Sequence, residues 1–150
     1  MGPRTRVLAV ASAGGHWQQL MLLAPSFSET EITYAITDLK MAERSGVVGR
    51  TLTDCSKSTP LRALKCAIEL ALVLLKSRPD VVISTGALPG VLAIILGKLA
   101  GARTIWIDSI ANAEEFSASG RAAKRFADLW LSQWEDVAAR SGALWKGAVL

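Results

Sequence analysis

The sequence predicts an α/β fold: an open, mainly parallel sheet that carries helices on both faces, in the manner of a Rossmann-like domain. The first observation is that short, continuous apolar runs, typical of strands covered on both faces, alternate with longer segments of helical period. The second is that the chain has 150 residues, 51% of them apolar, which suffices for one buried core. We therefore expect residues 1–150 to form a single domain of β-α-β-α order.

The predicted strands are runs that are short, apolar and rich in β-branched residues. Four such runs lie at residues 6–11, 31–37, 80–84 and 103–108, and residues 129–132 and 148–150 are candidates for one or two more. Residues 38–53 are polar and contain two glycines, so we interpret them as a mobile loop that leads into a short strand near residues 51–53.

The predicted helices are segments in which apolar residues recur every three or four positions. They lie at residues 16–24, 60–76, 89–100 and 120–127. The second has the clearest boundaries, because Thr59 can cap it and Pro60 occupies the first position, where a missing N–H costs nothing. Ser77-Arg78-Pro79 ends it, since a proline disfavours helical backbone in the residue before it.

The helix at 60–76 has more apolar surface than one sheet needs. Its charges fall three, four and seven residues apart and share one narrow stripe: Arg62, Lys65, Glu69 and Lys76. The rest is largely apolar, with Leu61, Leu64, Ile68, Leu72, Leu74 and Leu75. We expect Leu64, Ile68, Leu72 and Leu75 to point away from the charges, and some of the six to remain unburied.

The helix at 89–100 is also strongly apolar, with Lys98 as its single charge. Two such helices indicate deep burial in a larger assembly or partial insertion among lipid headgroups, because large exposed apolar patches are rare on monomers. Simple packing on the sheet is the alternative for both.

Several classes of protein are not expected. The stretch that comes nearest to a spanning segment, residues 81–97, carries no charge but is broken by Gly86, Pro89 and Gly90, so no spanning helix is predicted. The apolar run after Arg6 is too short for a signal peptide, which predicts a cytoplasmic protein. A formal net charge of +4 with dispersed tryptophans does not indicate nucleic-acid binding and suits an anionic membrane surface.

The spacing of the metal-ligating residue types predicts no metal site. Cys55 and Cys66 are the two cysteines and His16 is the one histidine, so neither a zinc site nor a disulfide scaffold is expected.

A glycine-containing turn follows the first predicted strand. Ser12-Ala13-Gly14-Gly15-His16 allows the backbone to approach a ligand, and the next helix offers free N–H groups to an anion. The turn lacks the third glycine of a dinucleotide-binding loop, and the chain has no phosphate-binding loop of the Walker type, so NAD and ATP are disfavoured. His16 is a candidate general base or a helix-capping side chain, and the sequence leaves both open.

Two further loops follow predicted strands. Ser84-Thr85-Gly86 opens the apolar helix, and because turns at the carboxyl ends of neighbouring strands line one crevice, we expect Thr85 and Gly86 to face the same ligand as the first turn. The loop after Asp108 holds Ser109 and Glu114, whose carboxylate is either an acid–base candidate or simply solvated.

Six motifs follow one another along the chain: Gly14-Gly15-His16, the strand from Asp80 with its Gly86 and Pro89 turn, Asp108-Ser109, Ser117-Ala118-Ser119-Gly120, Ala127-Asp128 and Gln133-Trp134-Glu135. In this order they resemble the PssD/CpsF-type polysaccharide biosynthesis proteins. Those proteins are similar in turn to the membrane-anchoring subunit of the eukaryotic two-part dolichol-linked N-acetylglucosaminyltransferase. The resemblance covers nearly the whole chain.

The resemblance implies the N-terminal, acceptor-side half of a GT-B glycosyltransferase of the MurG kind, as a polypeptide of its own. A second protein would carry the half that binds the UDP-sugar donor, so this chain needs no cofactor and no metal. The acceptor would be a lipid-diphosphate-linked sugar at the cytoplasmic face of the cell membrane, in exopolysaccharide or capsule assembly. Two alternatives stay open: a non-catalytic scaffold that recruits the partner to the membrane, and a free-standing nucleotide- or phosphate-binding domain.

The resemblance assigns roles to Gly14, Gly15, His16 and Gln133-Trp134-Glu135, and the loop and helix patterns described above add the other residues named below. His16 becomes the candidate base that deprotonates the acceptor hydroxyl. The acceptor- or phosphate-binding loops contain Gly14, Gly15, Thr85, Gly86, Ser109 and Glu114. The partner or membrane interface contains Arg62, Lys65, Leu72, Leu75, Gln133, Trp134 and Glu135. Asp108 departs from the pattern, since many relatives have Glu at this position.

Overall fold

A computed structural model describes residues 2–149. It contains a seven-stranded sheet of order β3-β2-β1-β4-β5-β6-β7 in which all neighbouring strands are parallel. The strands are β1 (Arg6–Ala11), β2 (Glu31–Ile36), β3 (Gly49–Thr51), β4 (Val81–Ser84), β5 (Arg103–Ile107), β6 (Leu129–Ser132) and β7 (Leu144–Trp145). The helices are α1 (Gly15–Leu22), α2 (Leu39–Arg44), α3 (Pro60–Ser77), α4 (Ala87–Leu99), α5 (Ala118–Ala123) and α6 (Glu135–Ser141), and a 3-10 helix at Ala24–Phe27 follows α1.

The central strand β1 explains why its sequence is apolar without interruption. Leu8 and Val10 belong to a core cluster that includes residues of α3, α4, α5 and α6. Val7, Ala9 and Ala11 belong to a second cluster with residues of α1 and α2. Successive side chains of a strand point to opposite faces, so both faces of β1 are buried under helices. The predicted open, parallel, Rossmann-like sheet is confirmed.

The strand order locates the crevice of this sheet. The chain moves outward from β1 through β2 to β3, then returns to place β4 on the other side of β1. In open α/β sheets, ligands bind beyond the carboxyl ends of the strands where the order reverses in this way. Here that point lies between the β1–α1 turn and the β4–α4 turn.

Residues 38–53 are ordered into elements, so the predicted mobile loop is wrong. Asp38 accepts a hydrogen bond from the Lys40 amide at 3.0 Å and caps α2, and Ala42 packs into the core. The short strand lies at Gly49–Thr51, slightly before its predicted place. A helix of six residues is too short to display a helical period, which is why the sequence did not reveal it.

The carboxyl-terminal elements also differ from the prediction. An unpredicted helix, α6, begins with Glu135 and Asp136 and ends at Gly142, which has a left-handed backbone with φ of 75°. The last strand is Leu144–Trp145, whereas residues 148 and 149 lie outside any strand and residue 150 lies outside the described part. The Val149 amide donates to Gln133 Oε1 at 3.0 Å, so its hydrogen-bond partner is a side chain and not the backbone of a neighbouring strand.

The helix α3 leaves an apolar strip uncovered. Cys66, Leu70 and Leu74 form its buried face, and Thr59 does not cap it because that hydroxyl bonds to Ser56 instead. More than half of each side chain in the strip is exposed: Leu61, Leu64, Ile68, Leu72 and Leu75. We call these five residues the outer stripe of α3.

The sequence predicted that Leu64, Ile68, Leu72 and Leu75 point away from the charges of α3, and this prediction is wrong. Lys65 follows Leu61 by four residues and precedes Ile68 by three, so the cationic stripe lies beside the apolar one on the same solvent-facing side. The buried residues Cys66, Leu70 and Leu74 lie on the side of the helix opposite the outer stripe, so the charges and the outer stripe share the remaining surface.

The helix α4 packs between α3 and α5 on the sheet, and its apolar side chains are buried or half-buried except for Leu99 near its end. Its close approach depends on Gly97, where an added Cβ would lie 2.7 Å from Val82 Cγ2. Of the alternatives that the sequence left open for this helix, simple packing on the sheet accounts for its apolar residues. No helix within residues 2–149 combines the length and the hydropathy needed to cross a membrane.

Candidate functional site

The β1–α1 and β4–α4 turns are joined through His16. Its Nδ1 lies 3.1 Å from the backbone oxygen of Thr85. The Thr85 hydroxyl in turn donates to the backbone oxygen of His16 at 2.6 Å, and Thr85 is fully buried. The two turns that the sequence assigned to one crevice therefore lie against each other.

The glycines of the first turn leave open space above it. Gly14 has φ of 89°, a backbone conformation that favours glycine, and an added Cβ at Gly14 or Gly15 would meet no atom within 4 Å. The helix α1 begins at Gly15 without a side-chain cap. Uncapped amides at a helix start, beside open space, can bind an anion.

The second turn has a glycine because the His16 ring occupies its side-chain position. An added Cβ at Gly86 would lie 2.1 Å from His16 Nδ1, and Gly86 has φ of 151°. The next residue, Ala87, has φ of 64°, which is uncommon for a residue with a side chain. The backbone of this turn is thus shaped around the imidazole.

The loop after β5 is anchored by a buried carboxylate that sequence reasoning did not include among the site residues. Asp108 accepts hydrogen bonds from Trp106 Nε1 at 3.0 Å, from the Ser117 amide at 2.8 Å and from the Ser117 hydroxyl at 2.6 Å. An added Cβ at Gly120 would lie 2.6 Å from Asp108 Oδ1, so this glycine lets α5 approach the carboxylate. Asp108 is a structural anchor at the carboxyl end of β5.

Two buried glutamines attach the same loop to the rest of the site. Gln19 donates to the backbone oxygen of Asp108 at 3.2 Å and accepts from the Ile110 amide at 3.0 Å. Gln133 donates to the same oxygen of Asp108 at 3.0 Å. Gln19 lies on α1, one turn beyond His16, so it couples the loop to the histidine helix. Its sequence signal was a polar residue beside the apolar run 20–23.

Within residues 2–149, Ser109 and Glu114 form no hydrogen bond with His16. The Ser109 hydroxyl oxygen accepts from the Ala111 amide at 3.2 Å, which shapes the loop locally. Glu114 is exposed, and its backbone oxygen accepts from Arg140 Nη2 at 2.7 Å on α6. Glu114 also lines a cavity of about 520 Å³ that includes Phe116 and Trp130. The contacts of Glu114 lie towards α6 and away from the histidine turn.

The segment Gln133-Trp134-Glu135 divides between the interior and the surface. Gln133 is 4% exposed and both its polar atoms are bonded within the chain, so its predicted interface role is wrong: its side chain is not available at the surface. Trp134 is 37% exposed and donates through Nε1 to the Ile110 backbone oxygen at 2.8 Å. Glu135 is exposed in the first turn of α6.

The surface of α3 is cationic beside the outer stripe. Arg62, Lys65 and Lys76 are exposed. Glu69, the one acidic residue of this helix, accepts from the Thr53 amide at 2.6 Å and from the Thr53 hydroxyl at 2.9 Å. Glu69 is half-buried and directed to Thr53, so the exposed charged residues of α3 are the three cations Arg62, Lys65 and Lys76.

The cysteines are unsuited to nucleophilic chemistry. Burial raises the pKa of Cys66 to about 12, and burial also raises the pKa of Cys55. Both thiols are therefore protonated at neutral pH, and a thiol is a far weaker nucleophile than a thiolate.

A cavity of about 950 Å³ opens at the opposite edge of the sheet, where the strands begin. Its walls include Leu74, Leu96 and Val81, with Arg78 and Arg103 also in its lining. Because it lies at the amino ends of the strands, it is separate from the histidine turn.

Comparisons with known proteins give one curated relative. A comparison with protein-family profiles gives no match. Over 185 aligned positions the chain is 28% identical to the UDP-N-acetylglucosamine transferase subunit ALG14 of Eremothecium gossypii, covering 99% of this chain and 82% of that protein.

Solved structures match the fold at low sequence identity. Acinetobacter baumannii MurG superposes with a TM-score of 0.75 at 11% identity, covering 89% of this chain and 43% of MurG. A Methanocaldococcus jannaschii UDP-GlcNAc 2-epimerase, in complex with UDP-GlcNAc and UDP, gives 0.74 at 14% identity, covering 93% of this chain and 44% of the epimerase. The chain has a Rossmann-like domain that is similar in fold to the matched parts of these two structures. It spans about two fifths of each of these two structures.

Proposed function

We propose that this chain is the acceptor-binding and membrane-docking subunit of a two-component, UDP-sugar-dependent glycosyltransferase. The observation that carries the proposal is the similarity, along almost the whole chain, to a protein named as a UDP-N-acetylglucosamine transferase subunit. The likeness in fold to MurG supports it. The finer resemblance to PssD/CpsF-type proteins belongs to the same proposal and gives the pathway class, exopolysaccharide or capsule assembly.

The proposed division of labour assigns the donor to the partner. A second protein carries the domain that binds the UDP-sugar, and the reaction takes place between the two proteins without a metal. The acceptor, a lipid-diphosphate-linked sugar, lies over the β1–α1 and β4–α4 turns. The open space above Gly14 and Gly15 and the uncapped start of α1 support this position for the anionic diphosphate.

In the proposed reaction His16 acts as the general base. Its Nε2 takes the proton of the acceptor hydroxyl while that oxygen forms a bond to the anomeric carbon of the donor sugar. The bond between the anomeric carbon and the UDP oxygen breaks, and UDP leaves with the electron pair. A positioned base of this kind contributes about a hundredfold or more to the rate.

The proposed membrane contact is the outer stripe of α3 together with Arg62 and Lys65. Apolar side chains that lie beside cations on one helix surface suit the boundary between acyl chains and anionic headgroups. The chain would then sit peripherally at the cytoplasmic face of the membrane, within reach of a lipid-linked acceptor. The exposure of the outer stripe supports this placement.

The test is transfer of sugar from a UDP-sugar to a lipid-diphosphate-linked acceptor, measured with this chain, with the partner, and with both. Turnover is expected only with both proteins. His16→Ala is expected to retain partner binding and to lose about a hundredfold or more in kcat. The matched control is Gln18→Ala, an exposed residue of the same helix, which is expected to keep full activity. Comparable turnover by the isolated chain contradicts the proposal.

A non-catalytic scaffold is the second candidate. The observation that favours it is the bond between His16 and the Thr85 oxygen, which already gives the histidine a structural role. In a scaffold, His16→Ala retains both partner binding and turnover, so the same assay separates the two candidates.

A further inference from the structure

We infer that Thr85 and Gly86 are positioning residues which hold the His16 imidazole as its Nδ1–H tautomer, leaving Nε2 as the basic nitrogen. The inference deepens the proposed function and rests on it for the catalytic consequence. It stands on three contacts: the ring to the Thr85 backbone oxygen, the Thr85 hydroxyl to the His16 backbone oxygen, and the ring against Gly86.

The first contact decides the tautomer. A carbonyl oxygen has no proton to donate, so a hydrogen bond at 3.1 Å between His16 Nδ1 and the Thr85 oxygen requires the proton on Nδ1. A neutral imidazole carries one N–H, and the hydrogen bond at one nitrogen sets the state of the other. Nε2 therefore keeps its lone pair. Within residues 2–149, no protein group forms a hydrogen bond with Nε2, so the lone pair is available to a substrate hydroxyl.

The second contact makes the first one rigid. The Thr85 hydroxyl donates to the His16 backbone oxygen at 2.6 Å, so the backbone of each residue accepts a bond from the side chain of the other. Thr85 is fully buried and directly follows β4, a strand paired on both sides within the sheet. The Thr85 carbonyl, which accepts the hydrogen bond from Nδ1–H, is thereby fixed at the end of a central strand.

The third contact explains the residue type at position 86. A Cβ there would lie 2.1 Å from His16 Nδ1 and 2.3 Å from Cε1, distances that no side chain can accommodate without moving the ring. Glycine therefore permits the imidazole to reach the Thr85 oxygen. The same turn offers a matched pair of tests, one at the hydroxyl and one at the glycine.

The tautomer is measurable directly because His16 is the one histidine of the chain. Long-range 1H–15N correlation spectra of the 15N-labelled chain, recorded where the ring is neutral, distinguish a protonated from an unprotonated nitrogen. We expect Nδ1 to be the protonated nitrogen and Nε2 the unprotonated one. A predominantly Nε2–H imidazole in the unmodified chain overturns the inference.

The variants test the device that holds the ring. Gly86→Ala is expected to shift the ring to the Nε2–H tautomer and to lower kcat at least tenfold. Thr85→Val removes the hydroxyl at nearly constant volume and is expected to increase the Nε2–H population, whereas Thr85→Ser restores the parent spectrum. If Gly86→Ala does not fold, Thr85→Val and Thr85→Ser provide the test. Identical spectra for these two variants contradict the positioning role of the Thr85 hydroxyl.

The spectra are recorded on the chain alone, so they test the positioning of His16 separately from the proposed transferase function. An Nδ1–H imidazole in a chain whose complex transfers no sugar supports the positioning of His16 and contradicts the transferase proposal. An Nε2–H imidazole in a chain whose complex is active overturns the positioning and leaves the transferase proposal standing.

Discussion

Asp108 illustrates, at the scale of one residue, how a buried carboxylate organises the loop after β5. It is 2% exposed and accepts bonds from the Trp106 indole and from two donors of Ser117. A buried charge is tolerated when donors surround it, and removal of the acceptor leaves those donors without partners.

The first prediction is that Asp108→Ala lowers the free energy of unfolding by about 3 kcal/mol or more, because hydrogen bonds to a charged group contribute about 1.5–3 kcal/mol each. Asp108→Asn, which turns an NH₂ group towards donors, is expected to be destabilising as well. Urea unfolding checks both variants. The neighbouring Ser109→Ala removes one local bond and is expected to cost less than about 1 kcal/mol. An Asp108→Ala loss no larger than that of Ser109→Ala contradicts the role of the carboxylate.

At the scale of the element, α4 depends on Gly97 for its distance from β4. An added Cβ would lie 2.7 Å from Val82 Cγ2 and 3.1 Å from Val82 Cβ, and Val82 is fully buried.

The second prediction is that Gly97→Ala destabilises the fold by about 1–3 kcal/mol through overpacking, although alanine favours an isolated helix by about 1 kcal/mol. Gly15→Ala is the matched control, because nothing lies within 4 Å of its added Cβ and helix propensity alone acts there. Thermal unfolding of both variants measures the difference. Gly97→Ala as stable as the parent chain would mean that the contact with Val82 does not constrain α4.

The outer stripe of α3 is the element-scale feature that packing leaves unexplained. Leu72 is 61% exposed and Leu75 72% exposed, beside exposed cations and with Glu69 bonded to Thr53. Burial of one leucine side chain contributes up to roughly 1.5–3 kcal/mol, so a few inserted side chains give reversible binding to a membrane surface.

The third prediction is that the chain sediments with vesicles containing anionic lipid and is only partly released by high salt, because salt screens the cations but not the apolar contact. Leu72→Glu with Leu75→Glu is expected to release it while the circular dichroism spectrum stays unchanged. The control is Val48→Glu with Leu99→Glu, which places the same two charges at exposed apolar positions outside the outer stripe. Equal release by both pairs, or no binding by the parent chain, contradicts the docking surface.

At the scale of the whole molecule, two carboxylates join elements at the edge of the sheet where the strands begin. The Arg6 guanidinium holds the pKa of Asp80 below its ordinary value of 3.8, and this pair connects β1 to the residue before β4. Hydrogen bonds from Lys98 and from the Thr104 amide hold the pKa of Asp128 below the same value. Through these two bonds Asp128 connects the end of α4 to β5.

The fourth prediction concerns acid. A carboxylate whose pKa is lower in the folded than in the unfolded chain stabilises the fold fully above the unfolded value, and this contribution disappears as the pH falls through the folded pKa. Stability is therefore expected to decrease as the pH falls below about 3.8. Asp80→Asn with Asp128→Asn is expected to make that decrease smaller. Urea unfolding at neutral and acidic pH checks the slopes, and parallel slopes for the parent and the Asp double variant refute the assignment.

The sequence by itself determined the elements whose buried residues form a regular apolar pattern. The uninterrupted apolar run of β1 predicted a strand covered on both faces, and proline at position 60 with the Ser77-Arg78-Pro79 stop located α3. The sequence did not predict α2 and α6, because these helices are too brief to display a helical period. The cap at Asp38 begins α2, and the left-handed glycine at position 142 ends α6.

Tertiary structure decided which exposed or polar residues belong to the site. The sequence predicted that the two turns share one crevice, but the contact of His16 with Thr85 and Gly86, 69 and 70 positions away, depends on the return of β4 to the side of β1. It also decided that Gln133 is internal, since a glutamine is polar in any sequence and only packing satisfies its amide inside the protein. Local patterns fix which backbone segments form; the partners of each polar group depend on strand order, which is a property of the folded chain.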